Sequence, residues 1–125
     1  MTALASANAQ QTSAKVNILF GFTVDEVHMP TGEYVISSPN QKVVTIRARG
    51  GGLAKSTITN SDPSTKSDGH AKVILHRYGS QYFVVAAWMP NAGHAQELFA
   101  SASENQTARG KERQEIYTLL MESVR

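Results

Sequence analysis

A chain of 125 residues is the length of one domain, and a hydrophobic fraction of 41% supports a real but small core. Twelve basic residues against ten acidic ones, a net charge of +2, do not call for nucleic acid as a partner. The absence of cysteine excludes disulfides, thiolate zinc sites and cysteine nucleophiles, and no apolar window approaches the length of a membrane-spanning helix, so no stable membrane insertion is expected.

Ala3 to Gln11 is rich in small residues and ends in the small-x-small pattern Ala7-Asn8-Ala9. That pattern resembles the cleavage region of a secretory signal, with cutting expected after Ala9, and places the protein in the periplasm or outside the cell. The basic and long apolar regions of such a signal are missing. The expectation is a chain that starts inside a signal peptide, with Met1 added for expression; a flexible Ala/Ser/Gln tail is the plainer alternative. Residues 1–13 are read as a disordered tail, 14–90 as an antiparallel β domain, and 91–125 as a helical segment packing on the sheet.

Lys15 to Val24 predicts the first strand, with Val16, Ile18, Phe20 and Phe22 alternating onto one face and Gly21 allowing a bulge or a close backbone approach. A short strand near Val24 to His28 is a further candidate. Met29-Pro30-Thr31-Gly32 fits a type I turn. Glu33 to Ser37 predicts a strand with Tyr34 and Ile36 on one face, and Ser38 to Gln41 a turn. Lys42 to Arg49 predicts a third strand, with Val44 and Ile46 facing one side and Val43 the other. Lys42, Arg47, Arg49 and Lys55 cluster in sequence, but a solvated sheet face explains them better than a phosphate track. Gly50-Gly51-Gly52 lacks the Lys-Ser/Thr of a phosphate loop at the required spacing and reads as a hairpin loop before a strand over Leu53 to Thr59. Asn60 to Gly69 is a polar loop.

Val73 to Trp88 is the most informative stretch. Two β-branched and aromatic runs flank Gly79-Ser80, which suits a two-residue type II′ turn. That turn sets Arg77 opposite Tyr82, His76 opposite Phe83, Leu75 opposite Val84 and Ile74 opposite Val85. One face then carries Val73, Leu75, Arg77, Tyr82, Val84, Ala86 and Trp88; the other carries Ile74, His76, Tyr78, Phe83, Val85, Ala87 and Met89. Neither face is polar through its middle, so the hairpin belongs inside a sandwich or barrel, or between a sheet and a helix.

The candidate binding residues are Arg77, Tyr82, Trp88, His76 and Tyr78. Each has a plainer reading. His76 suits a half-buried strand histidine with one satisfied hydrogen bond, Arg77 suits stacking on Tyr82, and Trp88 suits the core. The turn register splits the cluster, with Arg77 and Tyr82 on one face and His76 and Tyr78 on the other.

After Pro90 to Gly93 the composition turns to Ala, Glu, Gln, Arg and Leu. Ala95 to Ala102 predicts a short helix and Asn105 to Val124 a longer one, with Ile116, Leu119 and Leu120 on its apolar stripe and Gly110 weakening its first turn. The fold expected is all-β or β-rich α+β, an antiparallel sandwich or small barrel of six to seven strands with one or two C-terminal helices.

Three pieces carry a family resemblance: Phe20-Gly21-Phe22-Thr23-Val24 followed by Met29-Pro30-Thr31-Gly32-Glu33-Tyr34; His76-Arg77-Tyr78-Gly79-Ser80-Gln81-Tyr82-Phe83; and Trp88 leading to Glu97-Leu98. Over roughly residues 15 to 104 the chain resembles a family of small exported bacterial β-rich proteins without an assigned activity. The resemblance implies an exported location and a β fold, and carries over no catalytic residue.

For function, a non-enzymatic binding or structural module is the leading expectation, with a lipid or glycan carrier holding a cavity in its sheet as the alternative. A metal-dependent enzyme ranks below both, since no two histidines show ligand spacing and His94 with Glu97 is a single pair three residues apart. No catalytic residue, metal or cofactor is assigned. The partner classes are a small molecule, a protein or a second copy of the chain.

Overall fold

The computed structural model describes residues 12–40, 42–61, 70–90, 94–99, 102–110 and 113–123. In chain order the elements are β1 (Thr12–Ile18), β2 (Phe22–Val24), β3 (Val27–Met29), β4 (Gly32–Asn40), β5 (Val43–Ala48), β6 (Ala54–Ser61), β7 (Lys72–Tyr78), β8 (Gln81–Trp88), β9 (Gln96–Leu98), α1 (Ala102–Ala108), β10 (Gln114–Leu120) and β11 (Glu122–Ser123). The protein is all-β with one short helix among the described residues. Residues 1–11 of the expected tail and most of the polar loop, residues 62–69, lie outside them.

Alternation builds the core. Val16 and Ile18 of β1, Tyr34 and Ile36 of β4, Val44 and Ile46 of β5, and Val73 and Leu75 of β7 all point inward and are buried. Each such side chain contributes about 1.5–3 kcal/mol through removal from water. Phe22 and Tyr34 meet edge to face with centroids 5.1 Å apart, and the Tyr34 hydroxyl donates to the Pro30 carbonyl at 2.6 Å. β6 inverts the rule: Thr57 and Thr59 are buried while Ile58 is exposed. The inward threonines have polar partners, Thr57 donating to Asp25 at 3.4 Å and Thr59 accepting from Gln96 at 3.1 Å.

The strand order is β10-β7-β8-β9-β6-β5-β4-β1-β11, with β2 lying parallel to β8 at Thr23 and Phe83 and β3 paired to β2. The first and last strands of this order are separated in the chain by Met121 alone. One bent segment therefore lies against β7 through β10 and against β1 through β11. The inward side chains gather into one apolar core cluster, and a groove lined by Lys15, Asn17, Glu33 and Leu119 lies between β10 and β1.

Several expected boundaries shift. The first predicted strand is two: β1 begins at Thr12, inside the expected tail, and stops at Ile18, so that β1 pairs with β4 and β2 crosses to β3 and β8. Gly21 does serve a close approach, since a Cβ there would sit 3.1 Å from the His28 ring. β4 runs to Asn40 through the expected turn at Ser38, helped by a bulge and by Ser38 Oγ donating to backbone oxygens.

The expected C-terminal helices are largely strands. Ala95 to Ala102 contains β9, and the long helix over 105–124 is helical only to Ala108. Gly110 N–H bonds back to Thr107 O at 3.0 Å and ends the helix rather than weakening its start. Beyond it, Ile116-Tyr117-Thr118 has the branched and aromatic character of a strand. Seven consecutive pairs with β7 decide the matter, because without β10 that buried strand would have an unsatisfied edge.

Candidate functional site

The β7–β8 hairpin forms as its turn dictates. Gly79 has φ 64° and Ser80 is not left-handed, as a type II′ turn requires. Arg77 pairs with Tyr82, His76 with Phe83 and Leu75 with Val84. The next expected pair fails. Ile74 faces Ala86, not Val85, because Val85 is an extra residue in β8. Past this bulge the faces exchange: Ala87 joins the core opposite Val73, and Trp88 moves to the outer face opposite Lys72, whose ammonium lies 5.4 Å from the indole.

The candidate residues therefore fall into three places. Arg77 and Tyr82 pair near the turn on the core-facing side of the hairpin, with the guanidinium 5.7 Å from the Tyr82 ring. Phe20 stacks on Tyr82 at 3.7 Å, and Tyr117 meets both rings edge-on. Arg77 is already engaged, donating to Gly79 O at 2.8 Å and facing Glu115 at 3.6 Å. Trp88 is buried on the outer face and lies one residue pair beyond Ile74 and Ala86 from His76.

His76 and Tyr78 come together on the outer face, under α1. Glu104 of α1 is only 7% exposed, and its Oε2 lies 2.6 Å from His76 Nδ1 and 2.9 Å from the Tyr78 hydroxyl. An ionised carboxylate only accepts, so Nδ1 carries a proton in this contact. The Tyr78 oxygen is also 2.9 Å from the side-chain amide of Gln114. One phenolic proton cannot serve two acceptors. With Glu104 taking it, the Gln114 amide satisfies the phenol oxygen by turning its NH2 group inward. Burial, then the hydrogen bond and charge of Glu104, push the Tyr78 pKa up to about 12, so this phenol is a neutral donor at physiological pH.

Two further ties seat α1. Glu26 accepts from Ser103 N at 2.9 Å and from Ser103 Oγ at 2.7 Å, and Thr107 Oγ1 donates to Gln81 at 3.1 Å. Glu26 belongs to the β2–β3 turn, where both Asp25 (φ 45°) and Glu26 (φ 75°) are left-handed without being glycine. The two side chains offset that strain, Asp25 through Lys55 and Thr57 and Glu26 through the helix start.

Beside the His76–Glu104 pair lies an open cleft of about 350 Å³, walled by Ile74, Val85, Ala86 and Leu98, with Glu97 at its rim. Its walls are apolar, and the Glu97 and Glu104 carboxylates are its hydrogen-bond acceptors. Glu97 now sits on a strand, so His94 and Glu97 do not share a helix face. Among the described residues no three His, Asp or Glu side chains converge to hold a metal ion. No described helix is long and apolar enough to cross a membrane. Glu104 and Gln114 carried no sequence signal, being 28 and 36 residues from the side chains they meet.

Comparison with family models, curated proteins and solved structures finds no match to this chain.

Proposed function

We propose that the protein is a non-enzymatic binding module acting outside the cytoplasm, and that its ligand seats in the outer-face cleft beside His76. The observation that carries this reading is the buried Glu104 carboxylate, shared by His76 and Tyr78, at the wall of an apolar cleft. A polar group held so firmly beside apolar walls fixes orientation for a ligand, the usual division of labour in small-molecule sites. The acceptors at the wall select a small apolar molecule bearing hydroxyl or amine donors. The inward side chains of the described strands gather into one apolar cluster, while the polar His76, Tyr78 and Glu104 lie on the other face, which supports a site on the outside of the sheet. The motif resemblance and the Ala7-Asn8-Ala9 pattern support export; N-terminal sequencing of the natural product tests that part, and an uncut cytoplasmic product refutes it.

The binding reading is tested by amide NMR with a panel of apolar alcohols and amines. Binding is expected to move the resonances of Ile74, His76, Val85 and Leu98 together, and His76→Ala is expected to abolish the response. A panel that leaves these four residues unmoved refutes it.

A further inference from the structure

β10 is the first strand of the sheet order and pairs only with β7 among the described residues. Natural sheets protect such an edge with proline, lysine, a bulge or a covering element. Gln114-Glu115-Ile116-Tyr117-Thr118-Leu119-Leu120 has no proline, glycine or lysine, and its register with β7 is unbroken over all seven residues. Ile116 is 69% exposed and Leu120 is 68% exposed.

The backbone shows which groups are open. Met121 N donates to Ala71 O at 2.9 Å, and the β7–β10 register continued by one residue sets those two residues opposite each other. Hydrogen-bonded and non-hydrogen-bonded pairs alternate along an antiparallel ladder. Tyr117 and Leu119 therefore turn their N–H and C=O toward β7, while Gln114, Ile116 and Thr118 present theirs at the free edge. At Leu119 and Leu120 the edge runs into the groove shared with Lys15, Asn17 and Glu33, where β1 stands alongside. The usable edge is Gln114 to Thr118.

We propose that two copies of the chain pair antiparallel along this edge, with the two-fold axis passing between the Ile116 residues. In that register Ile116 meets Ile116 of the other copy, so the apolar residue most exposed on β10 covers itself. Gln114 meets Thr118, and each of these three residues supplies one donor and one acceptor to the new ladder. Glu115 meets Tyr117, a carboxylate beside a phenol, and no like charges are opposed. A strand that satisfies its own edge in both hydrogen bonding and charge selects a second copy over an unrelated strand. Ile116 also pairs with His76 across β7, so the seam runs beside the candidate cleft and joins the outer faces of the two copies.

The test uses the full chain, whose lack of cysteine permits single-cysteine scanning. Light scattering over a concentration series is expected to rise toward twice the chain mass. Ile116→Cys is expected to cross-link under mild oxidation, since paired Cα atoms about 5.5 Å apart lie within disulfide reach. Thr118→Cys and Leu120→Cys are expected not to, because each is offset from its own copy along the strand. Ile116→Lys, checked for folding by circular dichroism, is expected to remain at the mass of one chain. A wild-type mass that stays at one chain at every concentration overturns the proposal, as does cross-linking at Thr118 or Leu120 as ready as at Ile116.

Discussion

Glu104 is the residue on which the outer face depends. Replacing it with alanine removes the acceptor of the half-buried His76 Nδ1–H and leaves the Tyr78 hydroxyl only Gln114, a loss of about 1–3 kcal/mol. Glu104→Ala should lower the unfolding free energy obtained by urea titration by an amount in that range, with a lower midpoint, and Glu104→Gln, which keeps one acceptor oxygen, should recover part of it. Equal midpoints for wild type and Glu104→Ala would show that the pair is ornamental. Tyr78 supplies a second check through pH. Its pKa is raised from 10.0 to about 12 in the folded protein, so above pH 10 the unfolded chain releases a proton that the folded chain retains. Its contribution is fully present below pH 10 and is lost as pH rises to about 12. Tyr78→Phe should flatten part of that alkaline decline, with the remainder falling to groups such as Tyr34, whose pKa burial also raises. Unchanged slopes in the two proteins would refute the assignment. The separation of His76 and Tyr78 from Arg77 and Tyr82 was legible, because a two-residue turn fixes parity along both strands. The position of Trp88 was not, because the single extra residue at Val85 reverses parity from there onward and nothing in Val84-Val85-Ala86-Ala87 marks where a bulge must fall.

The elements show where local pattern governs and where pairing overrides it. β4, β5 and β7 follow alternation, and Tyr34 with Ile36 and Val44 with Ile46 share buried faces as the sequence pairs them. β10 follows its neighbour instead. Its residues satisfy a helical stripe at Ile116, Leu119 and Leu120, yet Leu119 and Met121 turn toward the core with a strand's period while Ile116 and Leu120 face out. The β2–β3 turn carries a different tension. Asp25 and Glu26 occupy left-handed conformations that glycine would adopt freely, and they do so while tying the hairpin to β6 and α1. Glu26→Gly should relieve the turn by about 1 kcal/mol but release the start of α1. Hydrogen exchange should then quicken at 102–108 while protection at 22–29 is maintained. Slower exchange at both segments would mean that the Glu26–Ser103 contact does not hold the helix.

At the scale of the molecule, the segment after Gly110 completes the sheet. β10 covers the edge of β7, β11 covers the edge of β1, and Met121 between them is buried while its N–H reaches Ala71. A C-terminal helix laid over a finished sheet would be dispensable; a bent strand that bridges two edges is not. Ending the chain at Gly110 would leave the backbone groups that Val73, Leu75 and Arg77 turn toward β10 without partners, uncover core-facing Val73 and Leu75, and remove Gln114 from Tyr78. Unpaired buried backbone groups are costly enough that so many at once exceed the few kcal/mol by which a domain of this size is stable. The truncated chain should lose its cooperative thermal transition by near-ultraviolet circular dichroism and bind a hydrophobic dye. Retention of the transition with only a modest fall in midpoint would mean that the strands before Gly110 close the core by themselves, and that β10 and β11 merely decorate it.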